Sequence, residues 1–199
     1  MVWVVGDATV DGNESGTSFK QALHFKEIGF NLHDTMIFEK NSSSFPAPKN
    51  SKRYTQIFEY MFVFSKGKVC KDIMLLCDKP NKCAGQTNWG KNTQYEKNGK
   101  IKNTENIKPV PDFSLRNNIW KYTVGINEKT GHPAVFPLQL AKDHILSWSY
   151  EGDTILDPFC GSGTTMKAAQ ELSRNCIGIE ISAEYCNIII NRCSMKKIE

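Results

Sequence analysis

A chain of 199 residues with 40% hydrophobic and 23% charged residues is long enough for one ordinary domain with a true core and an insertion. No apolar run approaches the roughly 20 residues that span a bilayer. The opening MVWVV has neither a basic leader nor a cleavage site, so a cytoplasmic protein without a membrane partner is expected. The net charge of +4 is unevenly placed: residues 66–130 hold 13 Lys and Arg against 6 Asp and Glu, residues 1–65 hold 6 against 7, and residues 131–199 hold 6 against 8. Seven cysteines (Cys70, Cys77, Cys83, Cys160, Cys176, Cys186 and Cys193) are an odd number with no Cys-x-x-Cys pair. Cys70, Cys77 and Cys83 form at most a weak metal set, reduced thiols are the stronger reading, and no metal is assigned.

In chain order, MVWVVG at 1–6 reads as a strand buried on both faces. Residues 7–16 are a polar loop at its carboxyl end, where open α/β sheets bind ligands. Ser18 and Gln21 have capping-box spacing, Phe19, Leu23 and Lys26 step along a helix, and Gly29 stops it. Residues 31–40 alternate imperfectly as a strand, and IFEYMFVFS at 57–65 is a second, more apolar one. The intervening NSSSFPAPKNSKRYTQ is a long loop, either a cover for substrate or a surface connection.

From 66 to 130 the alternation of strand and helix is lost. The stretch is low in aliphatics and rich in Asn, Lys, Thr and Gly, with Trp89 and Tyr95 in its middle and Phe113, Leu115, Ile119, Trp120 and Tyr122 to anchor its far end. Basic charge interleaved with planar and amide side chains suits phosphate contact and base-edge reading; the plainer alternative is a solvated face. In GHPAVFPLQLAKDHILSWSYEGD at 131–153, Pro133 and Pro137 shape an extended entry. Leu138, Ala141, Ile145 and Trp148 then repeat at helical spacing, in a helix placed to cover a ligand at the following strand. His132 and His144 read as structural, since no acids stand at metal spacing.

The densest pattern follows. Thr154, Ile155 and Leu156 form a short strand that Asp157 and Pro158 end, Gly161 and Gly163 make a tight turn, and Thr164 opens a helix to about Arg174, with Met166, Ala169 and Leu172 on one face. CIGIEIS at 176–182 is a second strand ending on Glu180, nineteen residues after Gly161. This order presents bare backbone N–H groups to a ligand's polar end, and an acid at that distance can accept hydrogen bonds from both hydroxyls of a ribose. A phosphate-binding P-loop needs Lys where Thr164 stands, and a dinucleotide fingerprint needs a small residue where Met166 stands. A last helix spans Ala183 to Cys193, with Tyr185, Ile188, Ile189 and Arg192.

DPFCGSGTT at 157–165 resembles, over nine residues without a gap, the Asp-Pro-Phe-x-Gly-Ser-Gly-Thr-Thr motif with which amino-directed DNA methyltransferases bind S-adenosylmethionine. The His-Pro-x-x-x-Pro pattern at 132–137 is similar to the segment that lines the cofactor pocket in that family. The resemblance implies an α/β, Rossmann-like S-adenosylmethionine-dependent methyltransferase fold with an inserted target-recognition region. It implies a cofactor site of Phe136, Asp157, Phe159, Cys160, Gly161, Ser162, Gly163, Thr164, Thr165, Glu180 and Ile181, although Phe136 reads equally well as a core aromatic. In the permuted class of the family the catalytic half comes first. Residues 1–65 then correspond to the later part of the catalytic half, 66–130 to the recognition insertion and 131–199 to the cofactor half.

The family's catalytic motif, a polar residue followed by Pro-Pro and an aromatic, is expected upstream of Met1, because no Pro-Pro occurs in the sequence. No catalytic residue is therefore assigned, one central strand between Val4 and Ile155 is expected to be missing, and the chain reads as an N-terminally truncated copy. The complete enzyme would methylate adenine N6 or cytosine N4 of a base flipped out of double-stranded DNA, with no covalent intermediate. Methylation at cytosine C5 is disfavoured: its cysteine nucleophile normally follows proline, the chain has no Pro-Cys, and Cys160 belongs to the glycine turn. Candidate partners are double-stranded DNA, an upstream fragment and a cognate restriction enzyme. The alternative function is a non-catalytic DNA-binding or cofactor-binding remnant, or the second half of a split methyltransferase.

Overall fold

The computed structural model describes residues 1–41, 49, 52–68, 73–87, 92–104, 108–124 and 137–193. Its elements in chain order are β1 (Val2–Val5), β2 (Thr9–Val10), β3 (Asn13–Glu14), α1 (Thr17–Glu27), β4 (Asn31–Lys40), β5 (Phe58–Ser65), β6 (Lys79–Pro80), β7 (Asn92–Tyr95) and β8 (Ile101–Thr104). They continue with β9 (Phe113–Ser114), β10 (Ile119–Tyr122), α2 (Leu138–Trp148), β11 (Thr154–Asp157), α3 (Thr164–Glu171), β12 (Asn175–Gly178) and α4 (Ala183–Cys193). Two compact units result, one of Met1–Met74 with Asn118–Glu199, the other of Leu75–Asn117.

The larger unit is α/β. Its main sheet runs β1-β5-β4-β10, with β5 antiparallel to both neighbours and β10 parallel to β4. Four consecutive residues of β5, Met61, Phe62, Val63 and Phe64, are buried, because helices cover both faces. Phe62 and Phe64 pack with Ala22 and Phe25 of α1, while Met61 meets His144 of α2. Each large side chain buried in this way stabilises the unit by about 1.5–3 kcal/mol. β11 and β12 pair in parallel with α3 as their crossover, and α2 packs on α3 through Ala141, Ile145, Ala168 and Ala169.

Several expectations need correction. β1 is not buried on both faces: it pairs on one edge only, and Val4 is 39% exposed. Ser18 and Gln21 do not form a capping box. The N-cap is Gly16, whose φ of 61° suits glycine. The first turn is capped instead by Asp7, just beyond β1, whose carboxylate accepts the Ser18 N–H at 3.0 Å and the Ser18 hydroxyl. Gln21 is then available to accept the Trp3 indole N–H at 2.8 Å. The buried face of α1 is Ser18, Ala22 and Phe25, not Phe19 and Leu23, which are exposed. α3 stops at Glu171, three residues before Arg174, since Ser173 turns left-handed at φ 59°.

The smaller unit is narrower than the expected 66–130. Ile119–Tyr122 belongs to the main sheet as β10, where Trp120 is 5% exposed. Within the unit β6 pairs with β9, and β7 with β8 across a turn closed by Glu96 N–H to Lys100 O at 2.8 Å. Phe113 and Leu115 are more than half exposed, so polar contacts bear much of the order. Arg116 pairs with Asp78, and Asn81 donates to Pro111 O at 2.8 Å. Residues 75–117 carry eight Lys and Arg against four Asp and Glu.

Candidate functional site

The expected site residues from Asp157 to Thr165 and Glu180 converge at the carboxyl ends of β11 and β12. Asp157 ends its strand by folding its carboxylate back onto the Phe159 N–H at 3.0 Å, an Asx turn that aims the chain across the sheet edge. The Cys160 N–H bonds Ile179 O at 3.1 Å, and the Gly163 N–H bonds Cys160 O at 2.8 Å, which closes the turn. Gly161 and Gly163 lie at φ 52° and 85°, where a side chain is strained. A Cβ on Gly163 would also stand 3.0 Å from Ile189 Cγ1. Gly163 is the N-cap of α3 with no side-chain cap, and the first intrahelical bond is Lys167 N–H to Gly163 O. The amides of Thr164, Thr165 and Met166 precede that bond and are set toward the helix's positive end.

Glu180 stands on the far side of the turn. One oxygen accepts the Gly161 N–H at 2.8 Å and the other the Ser182 N–H at 2.9 Å, so the half-buried carboxylate ties the turn to the exit of β12. A carboxylate offers about four lone-pair sites, which leaves acceptor capacity for a diol. Cys160, Ser162 and Thr164 are buried, at 7%, 4% and 4% exposure. Burial, with the charges of Asp157 and Glu180, pushes the Cys160 thiol up to about 11. It stays protonated at neutral pH and is no nucleophile. Phe159 is 75% exposed and meets Trp3 of β1 edge-on at 6.3 Å. Ile181 points fully into solvent, and Phe136 lies outside the described residues.

Sequence reasoning missed the role of Arg192. From the last turn of α4 it donates to Ser162 O at 2.9 Å and reaches Thr164 Oγ1 at 3.5 Å. Its position three residues after Ile189 on one helix face was the only signal. His144 is structural, as expected: it lies against Met61 and the Trp120 ring, and burial pushes it down to about 4, against the opposing pull of Asp143. Among the described residues no group of three His, Cys, Asp or Glu is placed to hold a metal, and six cysteines are free thiols. Among them also, no helix is long and apolar enough to cross a membrane.

A parallel strand, glycine turn and helix, with an acid at the exit of the next strand, defines a nucleoside-binding α/β class. The model of a family described as DNA methylase, for N6 and N4 methyltransferases, matches residues 1–191, and the chain belongs to that family. It is 51% identical to the orphan methyltransferase M.BamHII of Bacillus amyloliquefaciens, a match covering 96% of this chain and 73% of that protein. It is 29% identical to the type II methyltransferase M.SmaI of Serratia marcescens, over 89% of this chain and 51% of that one. Among solved structures it is similar to the M1.HpyAVI–SAM complex, with a TM-score of 0.56 and 29% identity over 98% of this chain and 74% of that one. The PvuII DNA methyltransferase, described as cytosine-N4-specific, has a TM-score of 0.65 at 23% identity over 100% of this chain and 64% of that one, a likeness of fold.

Proposed function

We propose that this chain is the cofactor-binding and DNA-recognising part of a site-specific DNA methyltransferase that acts on adenine N6 or cytosine N4. The observation that carries the reading is the turn at 157–165 clamped by Glu180, in a chain that the family matches almost end to end. S-adenosylmethionine fits these residues: the first amides of α3 have no side-chain cap, and Glu180 keeps lone pairs for a ribose diol. The bound group would supply an electrophilic methyl on a sulfonium. The chain's own part is to hold the nucleoside end through Glu180 and backbone N–H groups. The protonated Cys160 takes no part in the chemistry, in keeping with an amino-group target rather than cytosine C5.

We assign DNA contact to the basic unit Leu75–Asn117, through phosphate neutralisation and amide-rich base contact, which implies a cytoplasmic location with the DNA. We also infer that the polar group and aromatic that hold a flipped base come from a further segment, upstream in the same polypeptide or on a partner. Among the described residues no strand pairs with the outer edge of β1 or with β11 on the side away from β12; Val4 and Leu156 on these strands are exposed, as is Ile177 of β12. Two open edges and an apolar face are the complement of one strand and its covering helix.

The test has three arms. Calorimetry of the 199-residue chain should show S-adenosylmethionine binding. Duplex binding should weaken steeply with salt, by about 0.9 counterion per neutralised phosphate, and vanish when residues 82–108 are deleted while cofactor binding persists. Radiolabelled methyl transfer should appear only when the segment of M.BamHII left uncovered by the match is supplied. Robust transfer by the chain alone would overturn the assignment of the base-holding groups.

A further inference from the structure

The inner face of α4 is moulded to the glycine turn. Ile189, Arg192 and Cys193 fall at spacings of three and four, on one side of the helix. Ile189 packs against Gly163 so closely that a Cβ there would meet it at 3.0 Å. Arg192 donates to Ser162 O at 2.9 Å, and the Cys193 thiol lies 3.9 Å from Gly163 O. The helix end is itself fastened to α3, since Gln170 Nε2 donates to Cys193 O at 2.6 Å. The Ser162 carbonyl is therefore held from α4, while the Gly163 carbonyl accepts the Lys167 N–H inside α3 and is only flanked by the Cys193 thiol.

A peptide plane is rigid, so fixing a carbonyl fixes the N–H on its opposite edge. The Ser162 carbonyl shares its plane with the Gly163 N–H, and the Gly163 carbonyl shares its plane with the Thr164 N–H. Holding the first from α4 and the second inside α3 sets the orientation of the amides at the start of α3. A guanidinium is a costly group to half-bury unless its hydrogen bonds are used. An exposed arginine at the end of α4 would serve the helix dipole equally well. The position of Arg192 over Ser162 and Thr164 is accounted for by the turn.

We propose that Arg192 is a positioning residue for the cofactor turn: it touches no ligand, and through the Ser162 carbonyl it holds the peptide whose N–H closes the turn on Cys160 O, and so sets the start of α3, whose first amides face the ligand. This rests on the cofactor reading given above, and its test separates the two. Arg192→Gln, Arg192→Lys and a control on the solvent face of the same helix, Asn187→Gln, are compared with the native chain. S-adenosylmethionine affinity is measured by calorimetry, and amide exchange is followed residue by residue.

Arg192→Gln should bind about tenfold more weakly, in line with loss of one charge-assisted hydrogen bond. Its Gly163 and Thr164 amides should exchange faster, with α3 and α4 protected as before. Arg192→Lys, which keeps the charge and one donor, should recover part of both effects, and Asn187→Gln should show neither. Affinity within twofold of native for Arg192→Gln would overturn the proposal. So would a loss accompanied by exchange throughout α4, which would make Arg192 a helix stabiliser only. If the native chain itself binds no S-adenosylmethionine, the cofactor reading fails, and the exchange at Gly163 and Thr164 still decides whether Arg192 holds the turn.

Discussion

Replacement of Glu180 separates two jobs that its carboxylate performs at once. In a purely ligand-binding role an acceptor oxygen is all that is needed, and Glu180→Gln should keep much of the affinity. The geometry demands more: Oε2 accepts from Gly161 and Oε1 from Ser182, at 2.8 and 2.9 Å. Glutamine offers one acceptor oxygen, and its NH2 would face the other backbone N–H, donor against donor. Charge-assisted hydrogen bonds contribute about 1.5–3 kcal/mol, and water reaching a half-exposed site returns part of that on deletion. A stability loss of about 1–3 kcal/mol is expected for either variant, read from urea denaturation. S-adenosylmethionine affinity by calorimetry should fall on the order of 10- to 100-fold for both Glu180→Ala and Glu180→Gln. If Glu180→Gln binds within twofold of the native chain while Glu180→Ala does not, the carboxylate is only a ribose acceptor and the bridging role is wrong.

Other outcomes follow from buried groups. His144 is held neutral by burial, down to about 4, whereas the unfolded chain takes up its proton below about 6.5. Its contribution is complete above that value and is lost as pH falls toward 4, so at pH 5 it costs about 2 kcal/mol. His144→Leu should match the native chain in urea at pH 7.5 and exceed it at pH 5; equal pH dependence would refute the burial argument. Cys160, raised to about 11, should resist iodoacetamide at pH 7.5 while exposed Cys77 is labelled, and Cys160→Ala should bind cofactor nearly as the native chain does. Rapid mass-spectrometric labelling of Cys160 would contradict this. Gly163→Ala adds a Cβ at φ 85° against Ile189 and should cost about 1–3 kcal/mol in thermal or urea unfolding, only partly relieved by Ile189→Ala. Complete relief would show that the left-handed backbone carries no strain.

The glycine turn was legible because its determinants are local. Asp157, the two glycines and Thr164 lie within eight residues, and each dictates its own backbone geometry. The strand at 57–65 was legible from composition, since a strand buried on both faces is apolar at successive positions, and that at 31–40 from its imperfect alternation. What escaped depends on residues brought together from distant parts of the chain. The cap of α1 comes from Asp7, in the loop just beyond β1, so the Ser18 and Gln21 spacing misled. Arg192 reaches back 30 residues to Ser162, and no spacing rule covers such a pair. The boundary of the insertion was misplaced for the same reason: Ile119–Tyr122 has polar neighbours in sequence, but it pairs with β4 some eighty residues earlier.

That pairing of β10 bears on how specificity can change. The chain leaves the larger unit after Met74 and re-enters it at Asn118, and the strands on either side of this excursion, β5 and β10, flank the same strand, β4. The exit of β5 at Ser65 stands opposite Asn31 and the entry of β10 at Ile119 opposite Ile37, so the two ends lie two strand spacings across and several residues along β4 from each other, roughly 20 Å. A peptide whose ends span that gap can be grafted there, with the glycine turn and its α4 bracket left intact. On the DNA-contact role proposed for Leu75–Asn117, segments of different length and sequence can thus be exchanged without redesign of the glycine-turn framework, and a library built between Met74 and Asn118 is the starting point for retargeting.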